Sequence, residues 1–184
     1  MGERDHGRVS SSIPSWPASL IALLVHWDKK MPQSTDPRTV VPSGRFTPRR
    51  SPAVEAVPGP VKSTFKMTLF KDGISIGYFG VDSLSWGVLV DGAANAVTFE
   101  PYSYGGVMYY KNHANGMWLS ISTRSYAGFY TYWTSAEPCV HDKDSRKFIC
   151  SDGGQALSLY SKENTYLYFW DTYGPLQVDF DYEN

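Results

Sequence analysis

The 184-residue chain predicts an all-β domain of three approximate repeats closing on one core, preceded by a disordered leader. The first observation is self-similarity, which sets the architecture of a repeat fold. An aromatic residue followed by Lys or Ser-Lys and a polar turn recurs at Phe70-Lys71-Asp72-Gly73, Tyr110-Lys111-Asn112-His113 and Tyr160-Ser161-Lys162-Glu163-Asn164. A second aromatic and an alternating run follow each copy, at Tyr78-Phe79, Trp118-Leu119 and Tyr166-Leu167. The second observation is a change of composition near Met67, and the third is period-two alternation through the remaining chain.

Residues 1–66 hold nine of the twelve prolines and four of the twenty-eight aromatics, with ten Lys/Arg against five Asp/Glu, a net +5. Such sequence buries too little apolar surface to offset a chain entropy of about 1–2 kcal/mol per residue, so disorder is expected. Residues 67–184 hold twenty-four aromatics and seven Lys/Arg against thirteen Asp/Glu, a net −6. That body has the size of one domain. Its acidity disfavours nucleic acid as a partner.

Within the leader, Leu20–Val25 is the one apolar run, far short of a bilayer span. Arg4 and Arg8 precede it as they would the h-region of a secretion signal. His26-Trp27-Asp28-Lys29-Lys30 then stands where a small-x-small cleavage site belongs. No transmembrane span is expected.

The body reads as strands in order: Met67 to Phe70, Gly87 to Val90, Ala96 to Phe99, Val107 to Tyr110, Met117 to Ser122, Gly128 to Trp133, Ala156 to Tyr160, Tyr166 to Trp170 and Leu176 to Phe180. Turns are expected at Asp72-Gly73, Asp91-Gly92, Gly105-Gly106, Asn115-Gly116, Asp152-Gly153-Gly154 and Gly174-Pro175, because tight turns need the positive φ that Gly and Asn tolerate. No capped apolar stripe of 3.6-residue period occurs, so no helix beyond a single turn is expected.

Three units of about forty residues resemble the β-trefoil family, in which each unit supplies four strands to a barrel and a cap. The resemblance covers residues 67–184 and implies a lectin-like domain. The sugar-binding trefoils of the ricin type carry Gln-x-Trp in each repeat, whereas Gln155-Ala156-Leu157 and Gln177-Val178-Asp179 here lack the Trp. Phe70-x6-Gly77 and Tyr109-x6-Gly116 are also similar to the aromatic-to-glycine spacing of βγ-crystallin Greek keys, without the aromatic expected before each glycine.

Cys139 and Cys150, the only cysteines, flank a charged segment that reads as a solvated hairpin tip. The expected structure brings the two sulfurs together as a disulfide, contributing roughly 3 kcal/mol and implying an oxidising compartment. Two buried free thiols on facing strands are the alternative. Secretion or an extracellular location follows from the first, a cytoplasmic one from the second. Two cysteines without Cys-x-x-Cys make no zinc site, and no metal or cofactor is expected.

Catalysis finds no motif: no Gly-x-Ser-x-Gly, His-Glu-x-x-His, phosphate-binding loop or dinucleotide fingerprint is present. Asp179 and Asp181 share one strand face, but in a Val-Asp-Phe-Asp-Tyr-Glu alternation that face is the ordinary wet side of a half-buried strand.

The aromatic surplus points instead to recognition. A sugar is held by an aromatic face beside Asp, Asn or backbone groups, since its hydroxyls both give and accept hydrogen bonds. Four clusters carry that mixture: Asp82 with Trp86; Asn112, His113, Asn115 and Trp118; Tyr126, Tyr130 and Trp133; Trp170, Asp171 and Tyr173. Any single ring of this kind also serves as core. The expectation is a non-enzymatic lectin-like module for glycans or glycoproteins. A protein-binding inhibitor or toxin-like effector presenting the cysteine hairpin, or a structural crystallin-like domain, is the alternative.

Overall fold

The computed structural model describes residues 42–50, 59–60, 63–150, 154–161, 164–170 and 174–183. It is all-β, with thirteen strands: β1 (Gly59–Pro60), β2 (Phe65–Lys71), β3 (Ile74–Val81), β4 (Gly87–Val90), β5 (Phe99–Tyr104), β6 (Val107–Asn112), β7 (Trp118–Ile121), β8 (Ala127–Tyr130), β9 (Cys139–Asp142), β10 (Lys147–Cys150), β11 (Leu157–Leu159), β12 (Leu167–Phe169) and β13 (Gln177–Tyr182). Among the described residues there are also two single turns of 3-10 helix, Ala93–Asn95 and Trp133–Ser135. Among the described residues no helix is long and apolar enough to cross a membrane.

All ladders are antiparallel. Eleven strands form one sheet, and β11 pairs with β12 in a second. Three hairpins of three or four residue pairs (the short hairpins), β3–β4, β7–β8 and β11–β12, alternate along the chain with pairings of four to six residue pairs (the long pairs). The long pairs are β5–β6, β9–β10 and, from opposite ends of the fold, β2–β13.

The short hairpins hand one hydrogen bond each to the next. Phe129 N–H donates to the Ser85 carbonyl at 2.8 Å, Phe169 N–H to Ser125 at 2.8 Å, and Leu89 N–H to Thr165 at 2.6 Å. Donors and acceptors each recur every forty residues, so the bonds form a closed collar of three equivalent links. Bridges Trp86↔Gly128, Tyr126↔Tyr168 and Val88↔Tyr166 repeat the same pattern. Below the collar the core is assembled from matching positions of the three units. Phe79, Leu119 and Leu157 face Leu89, Phe129 and Phe169 across the hairpins; Met67, Tyr110 and Phe148 form a further layer. Each fully buried side chain of this kind contributes about 1.5–3 kcal/mol of transfer free energy.

The long pairs join less completely. Phe65 pairs with Phe99, and Val178 N–H reaches the Arg146 carbonyl at the matching place. Between β6 and β9 no ladder pair exists among the described residues, so the sheet does not close into a barrel through its ladders.

One detail of the repeat differs from the sequence expectation. Tyr160–Asn164 does not match the first two copies. Tyr160 follows β11 directly within the third short hairpin, whereas Phe70–Gly73 and Tyr110–His113 lie where β2 and β6 lead into a short hairpin.

Part of the leader is ordered on the body. Phe46 is 2% exposed, its N–H donating to the Leu84 carbonyl at 2.9 Å. It fits because Gly128 has no side chain: a Cβ there would overlap the Phe46 ring. At the matching position of the third unit stands Tyr168, whose ring packs on Tyr126 at 5.1 Å. The leader thus supplies the ring that the second unit lacks. Glu137, wholly buried, fixes the next stretch through Arg49 at 2.6 Å and Arg50 at 3.2 Å. Val97 and Leu176 occupy the matching positions of the other units, each donating its N–H to the carbonyl of the facing hairpin strand as Glu137 does to Leu119.

The expected disulfide is corrected. Cys139 and Cys150 pair directly across β9 and β10, as a hairpin requires, but their sulfurs stand 3.4 Å apart as free, buried thiols. Directly opposed strand positions bring the side chains near without supplying the bond. Burial pushes the Cys150 thiol well above its ordinary range, and neighbouring Cys139 adds to the shift.

Two outcomes follow. Replacing Arg49 and Arg50 together by Ala strands a buried carboxylate and should lower stability by about 3–5 kcal/mol in urea unfolding, with Glu137→Leu restoring most of the loss. A thiol reagent should modify Cys139 and Cys150 no faster than the protein unfolds, and a reductant should leave the melting temperature unchanged.

Candidate functional site

Strand alternation places Glu100, Tyr102 and Tyr104 of β5 on one face with Val107, Tyr109 and Lys111 of β6, through the pairs Glu100↔Lys111, Tyr102↔Tyr109 and Tyr104↔Val107. The opposite face sends Phe99 and Tyr110 into the core. An outward face normally carries polar residues; this one carries aromatics. Trp118 of β7 joins through its pairing with Lys111, and Trp133 through the adjoining 3-10 turn.

The result is a shelf of rings separate from the main core. Tyr102 meets Trp118 edge-on at 4.9 Å, and Trp133 contacts Tyr104 at 5.1 Å and Tyr109 at 5.7 Å. Trp118 and Tyr109 form its buried base, Tyr102 and Trp133 are half-buried, and Tyr104 is 40% exposed.

A polar border runs along one side. Lys111 Nζ donates to Glu100 Oε2 at 2.8 Å and to the Tyr102 hydroxyl at 2.5 Å, lying 4.6 Å above the Tyr102 ring centre. The Tyr102 hydroxyl in turn donates to Glu100 at 3.0 Å, and His113 Nδ1 stands 2.5 Å from Glu100 Oε1. Burial raises the Glu100 carboxyl pKa, but the hydrogen bonds from Lys111, His113 and Tyr102 outweigh it and hold the pKa down at about 2.

The sequence candidates divide. Trp118, Trp133 and His113 converge on the shelf. Asn112 and Asn115 shape the adjoining turn, their side-chain carbonyls accepting from the N–H groups of Ala114 and Met117 at 3.0 Å each. Asp82 likewise closes a turn, accepting from Leu84 and Trp86 N–H at 2.9 Å each. Trp86 and Tyr126 are buried in the collar, Trp86 donating its indole N–H to the Gly44 carbonyl at 2.7 Å. Tyr130 and Trp170 pack half-buried against the same group. Asp171 and Tyr173 lie outside the described residues. The first three expected clusters therefore do not form like sites.

Glu100, Tyr102, Tyr104, Tyr109 and Lys111 were missed. Their signal was Tyr-x-Tyr at 102–104 beside Tyr-x-Lys at 109–111, an aromatic on the outward face of both arms of a hairpin. Comparison with known proteins gives no match, by family model, curated protein or solved structure.

The sign of the Glu100 shift sets an acid response. A carboxyl held below its ordinary value of 4.5 contributes stability above that pH and loses it as pH falls towards 2. Glu100→Gln should flatten the stability profile between about pH 4.5 and 2, read by urea midpoints across that range.

Proposed function

We propose that this chain is a non-enzymatic carbohydrate-binding domain with a β-trefoil arrangement. The observation that carries the binding reading is the half-exposed shelf of Tyr102, Tyr104 and Trp133 beside the Glu100–Lys111–His113 border. A pyranose ring would lay its C–H face on Tyr104 and Trp133. Its hydroxyls would donate to the Glu100 carboxylate and accept from Lys111, a division of roles that a sugar satisfies and a purely apolar ligand does not. The trefoil reading is supported by the forty-residue collar links and the matched core layers. Glycans or glycoproteins at an extracellular surface are the partners that suit such a site.

The cysteine hairpin supports a second reading, a protein-binding module. Val140 on β9 is 53% exposed and Tyr182 is 51% exposed, and both border a cavity of about 200 Å³ that also includes Phe180 and His141. A protein partner would bury that apolar rim.

The test is a glycan array probed with the full chain in multivalent display, so that weak sites register through avidity. Binding is expected, with Tyr104→Ala and Trp133→Ala each lowering it about tenfold while melting stays cooperative. A blank array with a folded protein, or binding untouched in both variants, removes the glycan reading. Val140→Asp separates the second reading, since it should abolish protein capture and leave glycan binding intact.

A further inference from the structure

Away from the shelf, a cleft of about 210 Å³ opens between the docked leader and the turn that links β7 to β8. Leader residues Ser43, Arg45 and Thr47 line one side, and Thr123 and Arg124 the other. No acidic residue lines it, although residues 67–184 carry a net −6. Arg45 and Arg124 are exposed and make no ion pair among the described residues.

Both guanidinium groups project from fixed backbone. Arg45 precedes the buried Phe46, and Arg124 sits in a turn closed by Ser122 N–H to Tyr126 and Ser125 N–H to Ser122, both at 2.9 Å. The matching turn of the first unit begins with Asp82, whose carboxylate occupies its N–H groups. Here Ser122 stands instead, its hydroxyl accepting only from Tyr126 N–H at 3.1 Å. The second unit has therefore lost the negative charge that the first retains in the same place.

Tyr126 supplies an independent sign. It lines this cleft, is 1% exposed, and its hydroxyl has no hydrogen-bond partner among the described residues. A buried hydroxyl left unpaired costs about 1–3 kcal/mol, and Arg124 of the cleft is among the groups that act on this phenol. Burial keeps this phenol protonated, and hence a donor, throughout the neutral range.

We propose that this cleft binds the oxyanion group of a small ligand, a carboxylate, sulfate or phosphate, clamped by Arg45 and Arg124 with the Tyr126 hydroxyl as a neutral donor. Paired guanidinium forks match the planar or tetrahedral oxygens of such groups, and the hydroxyls of Ser43, Thr47 and Thr123 add donors at the rim. The site is independent of the aromatic shelf, because none of its residues belongs to that cluster.

The test is a titration of the full chain with sodium sulfate, phosphate, acetate and glucuronate at constant ionic strength, followed by amide NMR. Saturable shifts are expected at Arg45 and from Thr123 to Tyr126, with affinity falling about tenfold in Arg45→Gln or Arg124→Gln. Tyr126→Phe should weaken binding several-fold without lowering the melting temperature, since it removes a hydroxyl with no partner. Glucuronate binding more tightly than acetate supports an acidic sugar as carrier, and sulfate or phosphate binding more tightly supports an ester. Shifts that chloride reproduces, or affinity unchanged in both arginine variants, overturn the site.

Discussion

The collar of three hydrogen bonds, from Leu89, Phe129 and Phe169 to the carbonyls of Thr165, Ser85 and Ser125, is the constraint on which the rest of the structure depends. Each bond is worth about 1 kcal/mol net, too little to hold the fold by itself. Its effect is geometric. Three hairpins linked in one direction must present the same strand positions inward, which gathers Phe79, Leu119 and Leu157 into one layer. The residues between them must point outward, and this separates the aromatics of the core from those of the outward face.

Departures from the threefold pattern set the units apart. Gly128 leaves a space that Phe46 fills, and Glu137 replaces an apolar residue and draws in Arg49 and Arg50. Both changes lie in the second unit, and both fasten the same stretch of leader. That stretch then forms one wall of the arginine-lined cleft. Where the first unit meets the second the departure is different: β5 and β6 set tyrosines on the face that usually meets water. A repeat that builds its core three times is free to vary outside it, one unit at a time.

Much of the fold was legible in the sequence. Alternation at Met67 to Phe70, Val107 to Tyr110 and Met117 to Ser122 marks strands that are present, and Asp72-Gly73 turns with both residues at positive φ. Of Ile74–Val81 only the run at Tyr78-Phe79 was legible, because Gly77 and Gly80 interrupt the alternation, and they are required where Val90 approaches. Residues 42–50 and 63–66, which composition assigns to a disordered leader, have defined places on the body: composition averages over sixty-six residues, while docking at 42–50 depends on Phe46 and two arginines. Of the candidate site, Trp118, Trp133 and His113 were readable as aromatic-plus-polar neighbours. Glu100 and Tyr104 were not, because their closeness to those residues comes from pairing across a hairpin rather than from sequence distance.

The central claim is that three equivalent links close one cooperative collar. Native-state hydrogen exchange at the amides of Leu89, Phe129 and Phe169 tests it most directly. The account predicts that all three exchange only through the same global opening, with equal free energies and equal dependence on denaturant. Exchange of any one through a separate, smaller opening, while the other two stay protected, would contradict it.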